Sequence, residues 1–373
     1  LVVSDGSSLS VWTDIETAPA LRGRYGPWIG GWHLGPHDRF TVADLDGDGR
    51  DELFVRSPSW AGVLRWQDAG GFACEWISGD PAANANWVDG WHLSPLDHEV
   101  AADVDGDGRQ ELFVRSPHWA GVFRWTGAAM SCPWMTGDPA TNNDWVGGWH
   151  LGVQDRAVAG TFRGGEAAEL FVRSPQWAGL LAWTGDRLDT VWMSGDPAAN
   201  ANWVGGWHLG PQDREVAGRF TASSSQVLVR SRRWAGLLAW NPATVAIECP
   251  WMTGDPAANE DWIGGWHLDP RDRVAVADVD GDGHDEVFIR SAKWGGLLVA
   301  SGTGLTSEIV QEGNVGTWMF NRFDGVAGLR RRTGSAALFL YHPWGWTGTG
   351  EVTGSTDARS FRLTNAHFRT LVA

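Results

Sequence analysis

Short apolar runs of four to six residues recur along the chain, each closed off by Gly, Pro, Ser or Asp. Runs such as "FTVAD", "EVAAD" and "VAVAD" lead into a polar loop. "ELFVRS" or "EVFIR" follows, then the turn "SPSWAG", the run "GVLRW" and a last run such as "ACEWISGD". Runs of this length, rich in Val, Leu, Phe and Trp and punctuated by turn formers, predict strands. No segment carries a sustained helical period. The order returns with five "WHL" triplets headed by Trp32, Trp91, Trp149, Trp207 and Trp266, at spacings of 59, 58, 58 and 59 residues. Each copy is therefore one supersecondary unit. Four short antiparallel strands per unit predict a propeller blade.

The expected fold is an all-β, seven-bladed β-propeller of four-stranded blades, a single domain over residues 1–373. Five blades span 38–80, 97–138, 155–196, 213–255 and 272–312, with first strands near Phe40, Val100, Val158, Val216 and Val274. A degraded sixth, opened by "FDGVAG" and continued by "ALFLYHPWGW", spans 322–365. "FRTLVA" at 368–373 reads like "RFTVAD", and "LVVSDGSSLSVW" at 1–12 reads like "LFVRSPSWAGVLRW". The seventh blade then joins 368–373 to 1–24 and closes the ring through the two chain ends. Six or eight blades also fit, because 312–367 is irregular.

Composition adds to this picture. The 27 Trp against 2 Tyr, with 50 Gly, point to a repeat that copies Trp and Gly. A formal net charge of −16 argues against nucleic acid, which needs a basic face, and against anionic membranes. No apolar stretch approaches a membrane span, so no membrane insertion is expected. No charged-then-apolar leader opens the chain, which begins at Leu1; the expectation is a secreted, extracellular protein whose leader has been removed. Cys74, Cys132 and Cys249 each stand two residues before a Trp (Trp76, Trp134, Trp251), one repeat position in three copies. Such positions lie too far apart to bridge, which predicts free, buried thiols.

Part of the acidity sits in three loops. "DLDGDGRDE" supplies Asp44, Asp46, Asp48, Arg50 and Glu52; "DVDGDGRQE" supplies Asp103, Asp105, Asp107, Arg109 and Glu111; "DVDGDGHDE" supplies Asp278, Asp280, Asp282, His284 and Glu286. Carboxylates fall at loop positions 1, 3, 5 and 9 with Gly at 6, the alternation that wraps a hard cation in oxygen. An EF-hand does not fit, since position 12 is Val55, Val114 or Ile289 and strands flank the loop. An acidic hairpin without an ion is the other reading of the same residues. The loops of the remaining units, "GTFRGGEAAE", "GRFTASSSQ" and "GLRRRTGSAA", have lost the carboxylates, which suits a structural ion better than a catalytic one. The motif resembles the FG-GAP/VCBS calcium loop of integrin-α-type propellers. That resemblance implies about three structural calcium ions between strands 1 and 2 of a blade.

The opposite ends of the strands carry a different chemistry. There the "WHL" connection meets the turn between strands 2 and 3. This end holds His33, His92, His150, His208 and His267, and the turn residues Trp60, Trp119, Trp177, Trp234 and Trp294. The connection adds Trp87, Trp145, Trp203 and Trp262 with Asn84, Asn200 and Asn259, and strand 2 ends in Arg56, Arg115, Arg173, Arg230 or Arg290. Flat Trp faces with directional hydrogen-bonding groups suit the apolar C–H faces and fixed hydroxyls of sugars. A weak groove copied around a ring gains avidity on a multivalent glycan. The arrangement resembles the integrin-like seven-bladed lectin family of the Psathyrella velutina type, in which a "GGW" loop recurs per blade; that resemblance implies sugar sites between blades. Packing competes for the same residues. Trp66, Trp125, Trp183, Trp240, Trp76, Trp134, Trp192 and Trp251 are expected between blades. The His residues could cap the loop through Asp38, Asp97, Asp155, Asp213 or Asp272, and the Arg residues could be internal struts.

Three functions compete on these residues. The preferred one is a multivalent carbohydrate-binding protein whose partners are glycans or glycoconjugates. The others are an integrin-like adhesion propeller, for which "LRRRTG" at 329–334 is the one local basic candidate, and a polysaccharide lyase on a calcium-bearing propeller. Catalysis needs one unique constellation, whereas nearly every His and Asp of interest is repeated. No enzyme activity is expected.

Overall fold

The structure, a computed structural model, describes in full residues 28–35, 38–67, 72–79, 86–137, 140, 144–195, 202–254, 261–269, 271–278, 282–291, 293–310 and 312, and elsewhere the course of the strands alone. Among the described residues every extended regular element is a strand. The chain falls into two units, residues 25–204 and residues 205–373 with 1–24.

Residues 25–204 carry three four-stranded antiparallel sheets. Repeat 1 is Arg39–Ala43, Glu52–Ser57, Trp60–Trp66 and Phe72–Gly79. Repeat 2 is His98–Ala102, Glu111–Ser116, Trp119–Trp125 and Met130–Thr136. Repeat 3 is Arg156–Gly160, Glu169–Arg173, Trp177–Trp183 and Leu188–Gly195. The other unit holds repeat 4 (Arg214–Gly218, Gln226–Arg230, Trp234–Asn241, Ala246–Gly254) and repeat 5 (Arg273–Ala277, Glu286–Arg290, Trp294–Ser301, Gly304–Glu312). In all five the strands pair in chain order. These repeated sheets fit a β-propeller, as the run order predicts.

Second strands such as "ELFVR" are apolar on consecutive positions because both of their faces are covered. Glu111–Ser116 is buried throughout, and so is Glu169–Arg173. One core joins Leu45, Phe54 and Val63 of repeat 1 to Trp91, Val114 and Phe123 of repeat 2. Another joins Val104, Phe113 and Val122 to Trp149, Leu170 and Val172 of repeat 3. Between repeats 4 and 5 the same layer is Phe220, Leu228 and Leu237 against Trp266, Val287 and Ile289. The sheets thus stack face to face, and the first strands of repeats 1, 2 and 3 lie beside one another. In each of the five repeats the pairing of strands 3 and 4 slips by a bulge, at Val63/Leu64 in repeat 1, which adds twist. Trp125 and Trp76 pack into the first of these cores, Trp134 and Trp183 into the second, and Trp251 into the third, which is the inter-sheet role expected of the strand Trp residues.

A sixth four-stranded sheet is built from Gly325–Arg331, Gly334–His342, Asp357–Thr364 and His367–Thr370, with a small hairpin between its second and third strands. Val2–Ser4, Leu9–Thr13 and Ala20–Tyr25 form a three-stranded sheet. His367–Thr370 pairs with Asp357–Thr364, where the sequence pattern had put 368–373 with the N-terminal strands. A hairpin closes locally and costs less chain entropy than pairing the two ends of the chain.

Candidate functional site

The glycine-rich connection between repeats contains a miniature hairpin. Trp28–Ile29 pairs with Trp32–His33, Trp87–Val88 with Trp91–His92, Trp145–Val146 with Trp149–His150, and Trp262–Ile263 with Trp266–His267. A strand presents alternate side chains to opposite faces, so "WV" and "WH" each send one residue in and one out. Trp32, Trp91, Trp149, Trp207 and Trp266 are each 2% exposed. Opposite them in chemistry, Trp28, Trp87, Trp145, Trp203 and Trp262 are 64, 41, 41, 46 and 40% exposed.

The inward Trp is held by an aspartate six residues on. Its indole N–H donates to Asp38, Asp97, Asp155, Asp213 or Asp272 at 2.8–3.1 Å. The same carboxylate oxygen accepts a backbone N–H, that of Gly35, Ser94, Gly152, Gly210 or Asp269. The sequence pairing of these aspartates with the histidines is therefore corrected: the indole takes the carboxylate, and the imidazole lies on the other face. Space for the indole comes from a glycine in strand 3. A Cβ on Gly62, Gly121, Gly179, Gly236 or Gly296 would stand 2.7–3.0 Å from the ring carbon Cε3 of that Trp.

The strand-2 arginines are buried, Arg56, Arg115, Arg173, Arg230 and Arg290 being 1–6% exposed. Arg56 reaches into repeat 2, with Nη2 3.0 Å from Asp97 and further bonds to Glu99 and the Ser94 carbonyl. Arg115 donates to the carbonyls of Gly152 and Asp155, and Arg230 to that of Asp272. Arg173 and Arg290 donate to the next residue's carbonyl, Ser174 and Ser291. Arg56, Arg115 and Arg230 are internal struts bonded to the connection that follows their repeat; all five guanidiniums are buried, and the expectation that they line an open groove is corrected accordingly. Burial pushes Asp97, Asp155 and Asp272 up, Asp272 to about 6, against the pull of the indole, backbone N–H and guanidinium donors.

The outward face combines an aromatic ring, an imidazole and a buried polar residue. The Trp and His rings lie 4.6–4.7 Å apart between Trp28 and His33, Trp87 and His92, Trp145 and His150, and Trp262 and His267. The residue before the exposed Trp is buried: Asn86, Asp144, Asn202 or Asp261. Asn86 Nδ2 donates to His92 Nε2 at 2.8 Å. His150 Nε2 stands 3.2 Å from Asp144, and His267 Nε2 3.1 Å from Asp261. The preceding strand 2–3 turn closes on the same carboxylate, through His118 Nδ1 at 3.2 Å from Asp144 and Arg233 Nε at 3.5 Å from Asp261. The turn and the "WHL" connection are thus brought together. His208 is also exposed beside the buried strand residue Trp207. Of the turn Trp residues, Trp119 and Trp294 are 37 and 40% exposed, while Trp60, Trp177 and Trp234 are half-buried. Trp60 packs over Gly79, whose φ of 137° sets aside the backbone path a side chain would need. Asn84, Asn200, Asn259 and Asp280 lie outside the described residues.

Sequence reasoning missed Trp28, because its copy of the connection is abbreviated. It also missed Asp144, Asp261, His118 and Arg233. The signal for the carboxylates was present: every full copy has Asn or Asp immediately before the exposed Trp.

At the other end of the strands, Asp44, Asp46 and Asp48 offer oxygens within 4.8 Å of one another, and so do Asp103, Asp105 and Glu111. Asp44 accepts the N–H groups of Gly47 and Gly49, and Asp103 those of Gly106 and Gly108, which curls each loop around its own carboxylates. In repeat 5, Asp278 accepts from Gly283 and Asp282 from His284. All-oxygen donor sets on so tight a loop fit a hard divalent cation. Glu52 and Glu111 also lock the hairpin by accepting the N–H of Leu45 and Val104; burial pushes both up to about 7, against those bonds. The three cysteines are free, as expected, but half-buried where the sequence predicts buried thiols; burial pushes Cys132 up to about 12 and Cys249 to about 11, which favours the protonated thiol.

No protein-family model and no curated protein sequence matches the chain. Among solved structures, an Agrocybe aegerita lectin that recognises non-reducing terminal N-acetylglucosamine is similar at a TM-score of 0.56 and 14% identity, over 95% of this chain and 91% of that one. A chain of the Photorhabdus luminescens Tc holotoxin pore is similar at 0.52 and 14%, over 98% of this chain and 15% of that one. A putative 6-phosphogluconolactonase from Bacteroides uniformis stands at 0.46 and 10%, over 82% and 78%. Among the described residues no helix is long and apolar enough to cross a membrane.

Proposed function

We propose that the protein is a multivalent carbohydrate-binding protein, secreted, built as one seven-bladed propeller domain and stabilised by calcium in its strand 1–2 loops. The observation that carries this reading is the outward Trp, exposed in five copies and met edge-on or at a tilt by His in the four pairs given above. A flat ring stacks on a sugar's C–H face while the exposed imidazole, held from beneath by the buried Asn or Asp, meets hydroxyls. Repetition favours binding over catalysis, since an enzyme needs one site and gains nothing from five copies of its parts. The similarity to a lectin supports the same fold for this use. Five four-stranded sheets, a sixth and a three-stranded sheet at the N-terminus support a count of seven. The net charge of −16 disfavours nucleic acid and anionic membranes as partners.

Binding to a glycan array, followed by calorimetric titration of the best ligand, tests the reading. We expect several sites per chain, and Trp145→Ala to lower affinity at its site about tenfold, the effect of losing an aromatic anchor. Trp149→Phe, on the inner face of the same hairpin, should leave the ligand contacts in place. A flat array with no heat on titration sinks the proposal, and one site per chain would favour an adhesion propeller.

A further inference from the structure

The buried glutamate that ends each acidic loop has a basic partner within the protein. Glu52 and Glu111 are each 1% exposed. Arg65, in strand 3 of repeat 1, places Nη1 3.1 Å from Glu52 and 2.7 Å from Asp46, while its Nε bonds Glu75 at 2.9 Å. Arg124 holds the same place in repeat 2, with Nε 3.0 Å from Glu111 and Nη2 2.5 Å from Asp105. Both are only partly exposed, 21 and 35%. Asp46 and Glu52, or Asp105 and Glu111, are loop positions 3 and 9, the oxygens a divalent cation would take.

In repeats 3 and 4 the basic residue is lost together with the acidic loop, whereas repeat 5 keeps "DVDGDGHDE" and carries Val299 at the strand-3 position. Where the loops of repeats 3 and 4 have lost the Asp triplet, the strand-3 position is Ala182 and Ala239. In repeat 3, Glu169 is met instead by Arg163 from within its own loop. Repeat 4 replaces the glutamate with the neutral Gln226, which accepts the N–H of Thr221 at 2.7 Å. A buried carboxylate needs a compensating charge or a neutral substitute, and repeats 1 to 4 supply one or the other from the chain itself.

We propose that Arg65 and Arg124 are resident counter-cations that hold the loops of repeats 1 and 2 folded without a metal and set how weakly those loops bind a divalent cation. A bound ion shares carboxylates with the guanidinium, so it must either push the guanidinium off Asp46 and Glu52 or sit close to a like charge. The inference rests on reading the acidic loops as calcium loops.

The test is calcium titration by calorimetry, with thermal unfolding in chelator and in calcium, on the full chain and on Arg65→Met and Arg124→Met. Each Met variant should bind calcium about tenfold or more tightly than the same loop of the unaltered protein. Each should also melt lower in chelator than the unaltered protein does, and gain more from calcium than the unaltered protein gains. Arg65→Lys and Arg124→Lys, which keep the charge, should keep the weak binding, and they serve where a Met variant does not fold. Unchanged or weaker calcium binding in the Met variants, with calcium still bound by the unaltered chain, overturns the counter-cation role alone. Absence of calcium binding in every variant overturns it together with the calcium reading.

Discussion

Arg56→Met should lower the stability of the fold by about 3–5 kcal/mol, the cost of removing one partner of a buried ion cluster. Arg56 is 1% exposed and lies between Asp97 and Glu99, whose side chains are 0 and 5% exposed. Methionine matches its length and leaves no large void, so the loss reports charge and hydrogen bonding. Two carboxylates and the Ser94 carbonyl lose their donor at once. Urea unfolding followed by Trp fluorescence measures it. Arg187→Met, at an exposed pair with Asp189, should leave the midpoint unmoved. The deficit also depends on pH. Burial already raises the Asp97 carboxyl, and Arg56 pulls it down; without Arg56 it rises further. A carboxyl raised on folding contributes stability below its unfolded pKa and loses it as pH climbs through the folded one. The gap between variant and parent should therefore narrow toward acid and be widest at neutral pH. A deficit that is small and flat with pH would mean the strut is dispensable.

Trp91→Ala should cost about the same, 3–5 kcal/mol, through lost burial and the cavity left behind. Trp91 is 2% exposed, stands edge-on to Phe123 at 6.0 Å and fills the space over Gly121. Its removal also strips Asp97 of the indole donor. Trp87→Ala, four residues away on the opposite face of the hairpin, should stay within about 0.5 kcal/mol of the parent. Equal losses from both variants would contradict the division of the hairpin into a packing face and a binding face.

Much of this was legible from the residues. Run length and turn formers marked the four strands of five repeats, and the 58–59-residue spacing marked the unit. The hairpin inside "WVGGWH" was not legible as a hairpin, because two residues per strand are too few for alternation to stand out from a glycine-rich loop. The arginines were ambiguous for a different reason. A residue ending a strand points in or out by what covers it, and the cover for Arg56 comes from Asp97, 41 positions later. The sequence offers His92 as a cap on Asp97, and nothing in the pattern of residues marks the indole N–H as its donor. Strand parity decided otherwise: Trp91 and Asp97 share the inner face, and the more polar ring was turned out to water.

The clamp between Trp91 and Asp97 spans six residues, while the bond from Arg56 to Ser94 spans 38. Short closures form faster than long ones, so the clamp should be in place before the strut arrives. In kinetic terms, Trp91→Phe, which removes the indole donor and one ring of the bicycle, should slow refolding, and Arg56→Lys should chiefly speed unfolding. Stopped-flow chevrons on the two variants would separate these limbs; the reverse assignment would mean that neighbouring repeats dock before their own connections close. An early clamp fixes the register in which each newly synthesised repeat meets the last, so a nascent chain can add sheets one at a time without sampling the wrong near-identical neighbour.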